Sequence, residues 1–178
     1  MPTGNELKDE GLAHYRAGRF EDAMVAFALA QQAFLSDGNR VQAAECANDR
    51  AVAARQAAQF DEAEAAFMEA RQLLEEIGDR KGLGQVIGNL GALAESRNQT
   101  EAAVTFYQQA ISLFNEVGAT DLAGETWHAL SRLQMKQGKW LAALGAYDAG
   151  LEGVKRLSLT QRLLRRLMKV SRRLMGSG

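Results

Sequence analysis

Residues 60–78 read FDEAEAAFMEARQLLEEIG, and the stretch returns 40 residues away on either side. Residues 20–38 are FEDAMVAFALAQQAFLSDG, and residues 100–118 are TEAAVTFYQQAISLFNEVG. Ala23, Ala63, Ala103 and Ala143 are in step. So are Phe27, Phe67, Tyr107 and Tyr147, and so are Gly38, Gly78, Gly118 and Ser158. A fixed period of this size marks a stacked architecture in which each unit buries its apolar face only against its neighbours.

The spacing inside each period is helical. Ala63, Phe67, Ala70 and Leu74 lie four, three and four residues apart, along one face of a 3.6-residue helix. No stretch alternates with period two, so no strands are expected. Each period holds two helices of about 17 residues. One set of turns falls near Gly18, Gln59, Asn98 and Gly138, and the other near Gly38, Gly78, Gly118 and Ser158. Asn39, Asp79 and Thr120 are placed to cap the helices that follow. Glu21, Asp22, Asp61, Glu62 and Glu101 open the second helices, where the dipole favours negative charge. The alanine at 23, 63 and 103 lets the paired helix approach, and the aromatic four residues later is expected to fill the space between adjacent units. Trp127 and Trp140 occupy repeat positions and are expected in the core.

Composition bounds the function classes. The 178 residues are 47% hydrophobic and 24% charged, ordinary for a soluble globular chain. The only proline is Pro2, so no helix interior is broken. The single cysteine, Cys46, has no intramolecular partner and fits a reducing compartment. With no secretory pattern at the N-terminus and no apolar run long enough to span a bilayer, the expected location is cytoplasmic. The formal charge of −1 conceals a split. All 22 acids lie at or before Glu152, whereas Lys155 onward carries eight bases and no acid.

These residues carry a resemblance. Gly11, Gly18, Phe20, Ala23, Phe27 and Ala30 have the spacing of a tetratricopeptide repeat. Leu90 and Gly91 supply its Leu-Gly pair in the third unit, and Trp127 and Leu130 its opening Trp-x-x-Leu in the fourth. The period of 40 exceeds the family's usual 34. The closing proline is missing too, so the chain resembles the long-repeat branch. That resemblance implies an all-α, right-handed α-solenoid of four helix-turn-helix repeats, at about 1–38, 39–78, 79–118 and 119–158. A C-terminal capping helix at 159–175 would follow. It implies a protein–protein interaction scaffold that holds a peptide or partner protein in its concave groove, with no cofactor and no enzymatic activity.

In this family the first helices line the groove. The register carries Lys8 and Tyr15 onto that surface in unit one, with Leu12 between them. Asn48, Asp49 and Arg55 follow in unit two, beside Glu45 and Val52. Gln85, Asn89 and Glu95 follow in unit three, with Ala92, and Glu125, His128 and Arg132 in unit four, with Met135. Lys8 matches one position of the family's carboxylate clamp, but Leu12 and Asp49 stand where asparagines are required. Asn89 matches a position where long-repeat members hold a peptide backbone, which suits a side chain that both donates and accepts. The acidic body favours a basic partner.

Residues 159–175 form a basic amphipathic helix. Arg162, Arg165, Arg166, Lys169, Arg172 and Arg173 fall on one side, and Leu163, Leu164, Leu167, Met168, Leu174 and Met175 on the other. Thr160, Leu167, Val170 and Ser171 keep the repeat register, so the segment reads as a cap whose polar face ends the stack. The alternatives are a membrane-associated assembly factor docked peripherally through this helix, or a self-associating scaffold. Nucleic acid is not expected, because the stripe is confined to one helix without interleaved aromatics. Gly82, Gly84, Gly88 and Gly91 resemble a nucleotide loop only superficially, since no strand precedes them. Close helix approach or a flexible joint accounts for them instead. His14 is expected in the core, and Cys46, set among alanines, as a small buried hydrophobe.

Overall fold

The computed structural model describes residues 2–151, and they form eight helices with no strand among them. The helices are α1 (Gly4–Arg16), α2 (Phe20–Ser36), α3 (Arg40–Gln56), α4 (Phe60–Ile77), α5 (Arg80–Ser96), α6 (Thr100–Glu116), α7 (Thr120–Lys136) and α8 (Trp140–Gly150). Each packs against the next in sequence, and α3 also touches α5. The result is an α-solenoid of helical hairpins. The segment read as a cap, 159–175, lies outside the described residues.

All seven turns are built alike. In each, a backbone N–H bonds back to the carbonyl five residues earlier at 2.8–3.0 Å, from Arg19 to His14, Asn39 to Phe34, Gln59 to Ala54, Asp79 to Leu74, Gln99 to Ala94, Ala119 to Phe114 and Lys139 to Gln134. These are the six-to-one bonds of a Schellman ending. The side chains repeat every 40 residues, but the turn recurs every 20. It demands a left-handed residue, which is Gly18, Gly38, Gly78, Gly118 and Gly138 at five sites and Ala58 and Asn98 at the other two, with φ 58° each. The turn placed near Gln59 therefore pivots on Ala58.

Helix starts divide into two kinds. Thr3 and Glu6 form a reciprocal capping box on α1, Asn39 accepts from the Gln42 N–H, and Asp79 accepts from the Gly82 N–H. The second helices α2, α4 and α6 have no side-chain cap, and their opening acids interact with the exposed N–H dipoles instead. Thr120 does not cap α7. It is the first helical residue, and Ala119 before it has no oxygen to offer.

The core follows the small-to-large pairing, with one addition. Phe27 packs with Ala23 and with Ala53 of the next unit, as expected. It also fills a space inside its own hairpin, since a methyl on Gly11 would lie 2.6 Å from its ring. Gly4 stands in the same relation to Phe34 (2.9 Å), Gly84 to Phe114 (2.7 Å) and Gly91 to Tyr107 (2.8 Å). In the second unit Ala44 replaces that glycine and the facing residue shrinks to Leu74. The α3 core is nearly all alanine, with Cys46 fully buried in it. Burial pushes the Cys46 thiol up to about 12.

Two aromatic and histidine expectations fail. Trp140 is 64% exposed, beside exposed Leu141 and Leu144 on the last described helix. Trp127 is half-buried against the cluster of Leu130, Leu133 and Tyr107. His14 is half-buried in a polar setting rather than in the core. Its Nδ1 accepts from Arg19 Nε at 2.9 Å, and Glu10 lies 3.6 Å from Nε2.

Ion pairs stitch the seams. Lys8 reaches Glu45 across α1 and α3 at 2.6 Å, and Lys136 reaches Glu95 across α5 and α7 at 2.6 Å. Arg40–Glu76 and Arg80–Glu116 make the same bond in successive hairpins. Exposed pairs of this kind stabilise by only about 0–1 kcal/mol each. They set register more than stability.

Candidate functional site

The first helices of the hairpins lie side by side, and a cavity of about 630 Å³ opens across α3, α5 and α7. Its walls follow from helical periodicity. Glu45, Asn48 and Asp49 are three and four residues apart on α3; Gln85, Asn89 and Ala92 share one face of α5; Glu125, Ala129 and Arg132 share one face of α7. Tyr107, Leu74 and Phe114 reach it from the second helices.

Six sequence-predicted residues are brought together on this surface: Asn48, Asp49, Gln85, Asn89, Glu125 and Arg132. Five are not. Lys8 is held by Glu45 and by Gln42 at 3.0 Å. Burial lowers its pKa, but the Glu45 carboxylate, with Asp49 behind it, outweighs this and leaves the ammonium above its ordinary value. Tyr15 accepts from Gln56 at 3.3 Å and meets Phe20 edge-on. His128 places its ring 5.0 Å from Tyr147, against α8. Glu95 is engaged by Lys136 and by the Tyr107 hydroxyl at 3.3 Å. Arg55 is half-buried on α3 beyond the cavity wall.

At the centre, Asn89 donates Nδ2 to Asn48 Oδ1 at 2.8 Å, bridging α5 and α3. That bond uses one of the amide's hydrogens and neither lone pair of the Asn89 oxygen. The oxygen has no other partner in the described structure. Beside it, Asp49 is half-buried with only a long 3.5 Å contact from Asn48. Burial raises its carboxyl pKa, with Lys8 opposing and Glu45 reinforcing. An ionised Asp49 is thus a desolvated charge short of counter-charge.

The groove is polarised along the helix axes. Glu45, Asp79 and Glu125 lie in its N-terminal half, Asp49 lies at its middle in register with Asn89, and Arg132 is the one basic residue on its lining. Tyr107 escaped the sequence reading because it occupies a core register position. Only its hydroxyl, reaching Glu95, marks its second role. Its phenol is pushed up to about 12 by burial first and by Glu95 next, so it stays a donor at neutral pH.

Among the described residues no group of three side chains is arranged to hold a metal ion, and no helix is long and apolar enough to cross a membrane.

Solved structures with this fold include BtubC from P. vanneervenii (18% identity, TM-score 0.72), which covers 93% of this chain and 64% of its own. Aspartyl phosphate phosphatase F from Bacillus subtilis is 17% identical with a TM-score of 0.77, over 83% of this chain and 39% of that one. A Rap protein complexed with competence and sporulation factor is 17% identical with a TM-score of 0.76, over 84% and 42%. This chain therefore spans between two fifths and two thirds of their lengths. No curated protein matches its sequence. Residues 44–116 match the tetratricopeptide repeat family. The same hairpin recurs before and after that stretch among the described residues.

Proposed function

We propose that the chain is a binding scaffold whose first-helix groove takes an extended peptide segment of a partner protein. The observation that carries this is the Asn48–Asn89 bridge on the cavity wall, with the Asn89 oxygen left unused. An extended peptide offers backbone N–H groups at regular spacing, and a fixed amide is suited to receive them. Rap proteins of similar fold are bound to competence and sporulation factor in one structure and to the Phr* peptide in another. Those complexes support a ligand of the same class here.

The acids of the N-terminal half favour a basic side chain on the ligand. A cation beside Asp49 would supply the counter-charge that carboxylate lacks. The role is binding rather than catalysis, in the cytoplasm.

The test is affinity capture with wild type and with Asn89→Ala and Asp49→Ala, read by mass spectrometry. Partners should be retained by the wild type and lost from both variants. Retention of all partners by both variants would remove the groove from the function.

A further inference from the structure

Four carboxylates line the cavity across α3, α5 and α7, those of Glu45, Asp49, Asp79 and Glu125, against the single guanidinium of Arg132. Glu45 has Lys8 at 2.6 Å. No lysine or arginine of the described residues lies within 4.0 Å of the other three. Asp79 spends one oxygen on the Gly82 N–H, Asp49 has only the 3.5 Å contact from Asn48, and Glu125 is exposed on the α7 wall. The acids thus stand on three neighbouring helices. With about 8–10 Å between helix axes, they are spread over roughly 16–20 Å.

The counter-charge is present in the same chain. From Lys155 onward there are eight bases and no acid. Arg162, Arg165, Arg166, Lys169, Arg172 and Arg173 fall on one side of a helical wheel. As a helix, the stretch from 162 to 173 would be about 16 Å long, which matches the spread of the acids. The place where the described chain ends suits the same contact. A methyl on Gly150 would lie 3.0 Å from the Gly124 carbonyl oxygen and 3.1 Å from Trp127 Cβ, so α8 ends against the first half of α7, beside Glu125. Arg162 is eleven residues beyond Leu151, a tether of up to about 36 Å that spans the groove with length to spare.

Ending a stack does not by itself call for a stripe of one sign. At the opposite end, α1 carries Glu6, Lys8, Asp9, Glu10 and Arg16, with both signs mixed. A stripe of six bases repels itself until acids face it.

We propose that residues 159–175 dock in the chain's own groove, with their bases against Asp49, Asp79 and Glu125, and keep it closed to a partner. The contact is autoinhibitory. It rests on the groove reading above, since a partner's peptide would bind by displacing this segment. A second copy offers the same acids, but the tether holds the segment at a roughly millimolar local concentration that another molecule does not match.

Carbodiimide coupling of the wild-type chain tests the contact directly, because it joins a lysine amine to a carboxylate that touches it. Lys169 should couple to Asp49, Asp79 or Glu125. In a mixture of heavy-nitrogen-labelled and unlabelled chains, each joined pair should carry a single label. Coupling of Lys169 to none of the three overturns the proposal, including coupling confined to Asp148 or Glu152, which would set the segment on α8. Mixed-label pairs overturn it too, since they set the segment on a second copy.

A fluorescent synthetic peptide of residues 155–178 gives the second measurement. The full-length variant Arg165→Gln, Arg166→Gln, Lys169→Gln, Arg173→Gln should bind it about tenfold or more tightly than wild type, whose groove would be free no more than about a tenth of the time. Adding Asp49→Asn and Glu125→Gln to that variant should abolish the gain, while circular dichroism stays unchanged. Equal affinity for wild type and the first variant overturns the proposal. If the peptide behaves as expected but captured partners ignore Asn89→Ala and Asp49→Ala, the contact stands and the scaffold reading falls. If those changes release the partners but the first variant captures no more of them than wild type, autoinhibition falls and the scaffold reading stands.

Discussion

Gly91 and Tyr107 share one volume: a methyl group at 91 would sit 2.8 Å from the Tyr107 Cδ1 and Cε1 atoms. Gly88, one turn earlier on the same helix, would bring its methyl no nearer than 3.7 Å to Ala110. The same substitution should therefore change sign within one turn. Gly88→Ala gains about 0.5–1 kcal/mol of helix propensity. Gly91→Ala gains the same, but forces the buried ring to move, which costs about 1–3 kcal/mol. Urea denaturation of the two variants should give midpoints on opposite sides of wild type.

The left-handed turn residue at 58 is an alanine. The conformation costs an L-residue roughly 1–2 kcal/mol that glycine escapes, less the glycine's own entropy. Ala58→Gly should stabilise by about 1 kcal/mol, and Gly18→Ala in the equivalent turn should destabilise by a similar amount. Thermal midpoints of the pair check this. Equal signs would show that the two turns are not equivalent.

Cys46 ties stability to alkaline pH. Its folded pKa is raised from 9.0 to about 12 by burial among alanines. The folded state therefore holds the proton more tightly than the unfolded state. That contribution is complete below pH 9 and drains away as pH rises toward 12. Wild type should lose stability as pH rises from 9 toward 12, and Cys46→Ala should lose less. The thiol should also react with a soluble disulfide reagent only at the rate of unfolding.

Asp49 acts with the same sign at lower pH. Burial raises its folded pKa, with Lys8 opposing and Glu45 and Asn48 its other near neighbours. A raised carboxyl pKa stabilises below the ordinary value of 3.8, and this is lost as pH climbs through the folded pKa. At pH 7 the ionised group is thus a burden on the fold. Asp49→Asn should raise the urea midpoint at pH 7 and leave it unchanged at pH 3. The same change should weaken a basic peptide, opposing stability to binding at one residue.

Most of the architecture was legible because one physical rule repeats. Ala63, Phe67, Ala70 and Leu74 recur in three hairpins, and coincidence at a 40-residue spacing is improbable without stacking. What misled was context at single positions. Trp140 holds a repeat position, but on the last described helix it is exposed, and next to it Leu141 replaces Glu21, Asp61 and Glu101. The Ala58 turn was displaced because alanine carries no mark of a left-handed conformation. At the site, register alone grouped Asn48, Asn89 and Arg132. It could not tell that Lys8 and Glu95 are consumed by their neighbours, because those partners come from adjacent units. Nor could it find Tyr107, whose ring belongs to the core and whose oxygen does not.

The identical turn every 20 residues has a consequence for engineering and for evolution. Residues 80–119 begin and end at the same backbone geometry, and both seams of that cassette are made of interchangeable parts. Duplicating or deleting it would lengthen or shorten the array without a new joint. The footprint on a partner would then grow or shrink in fixed steps, which makes reach a quantity this chain can change separately from the chemistry of any one unit.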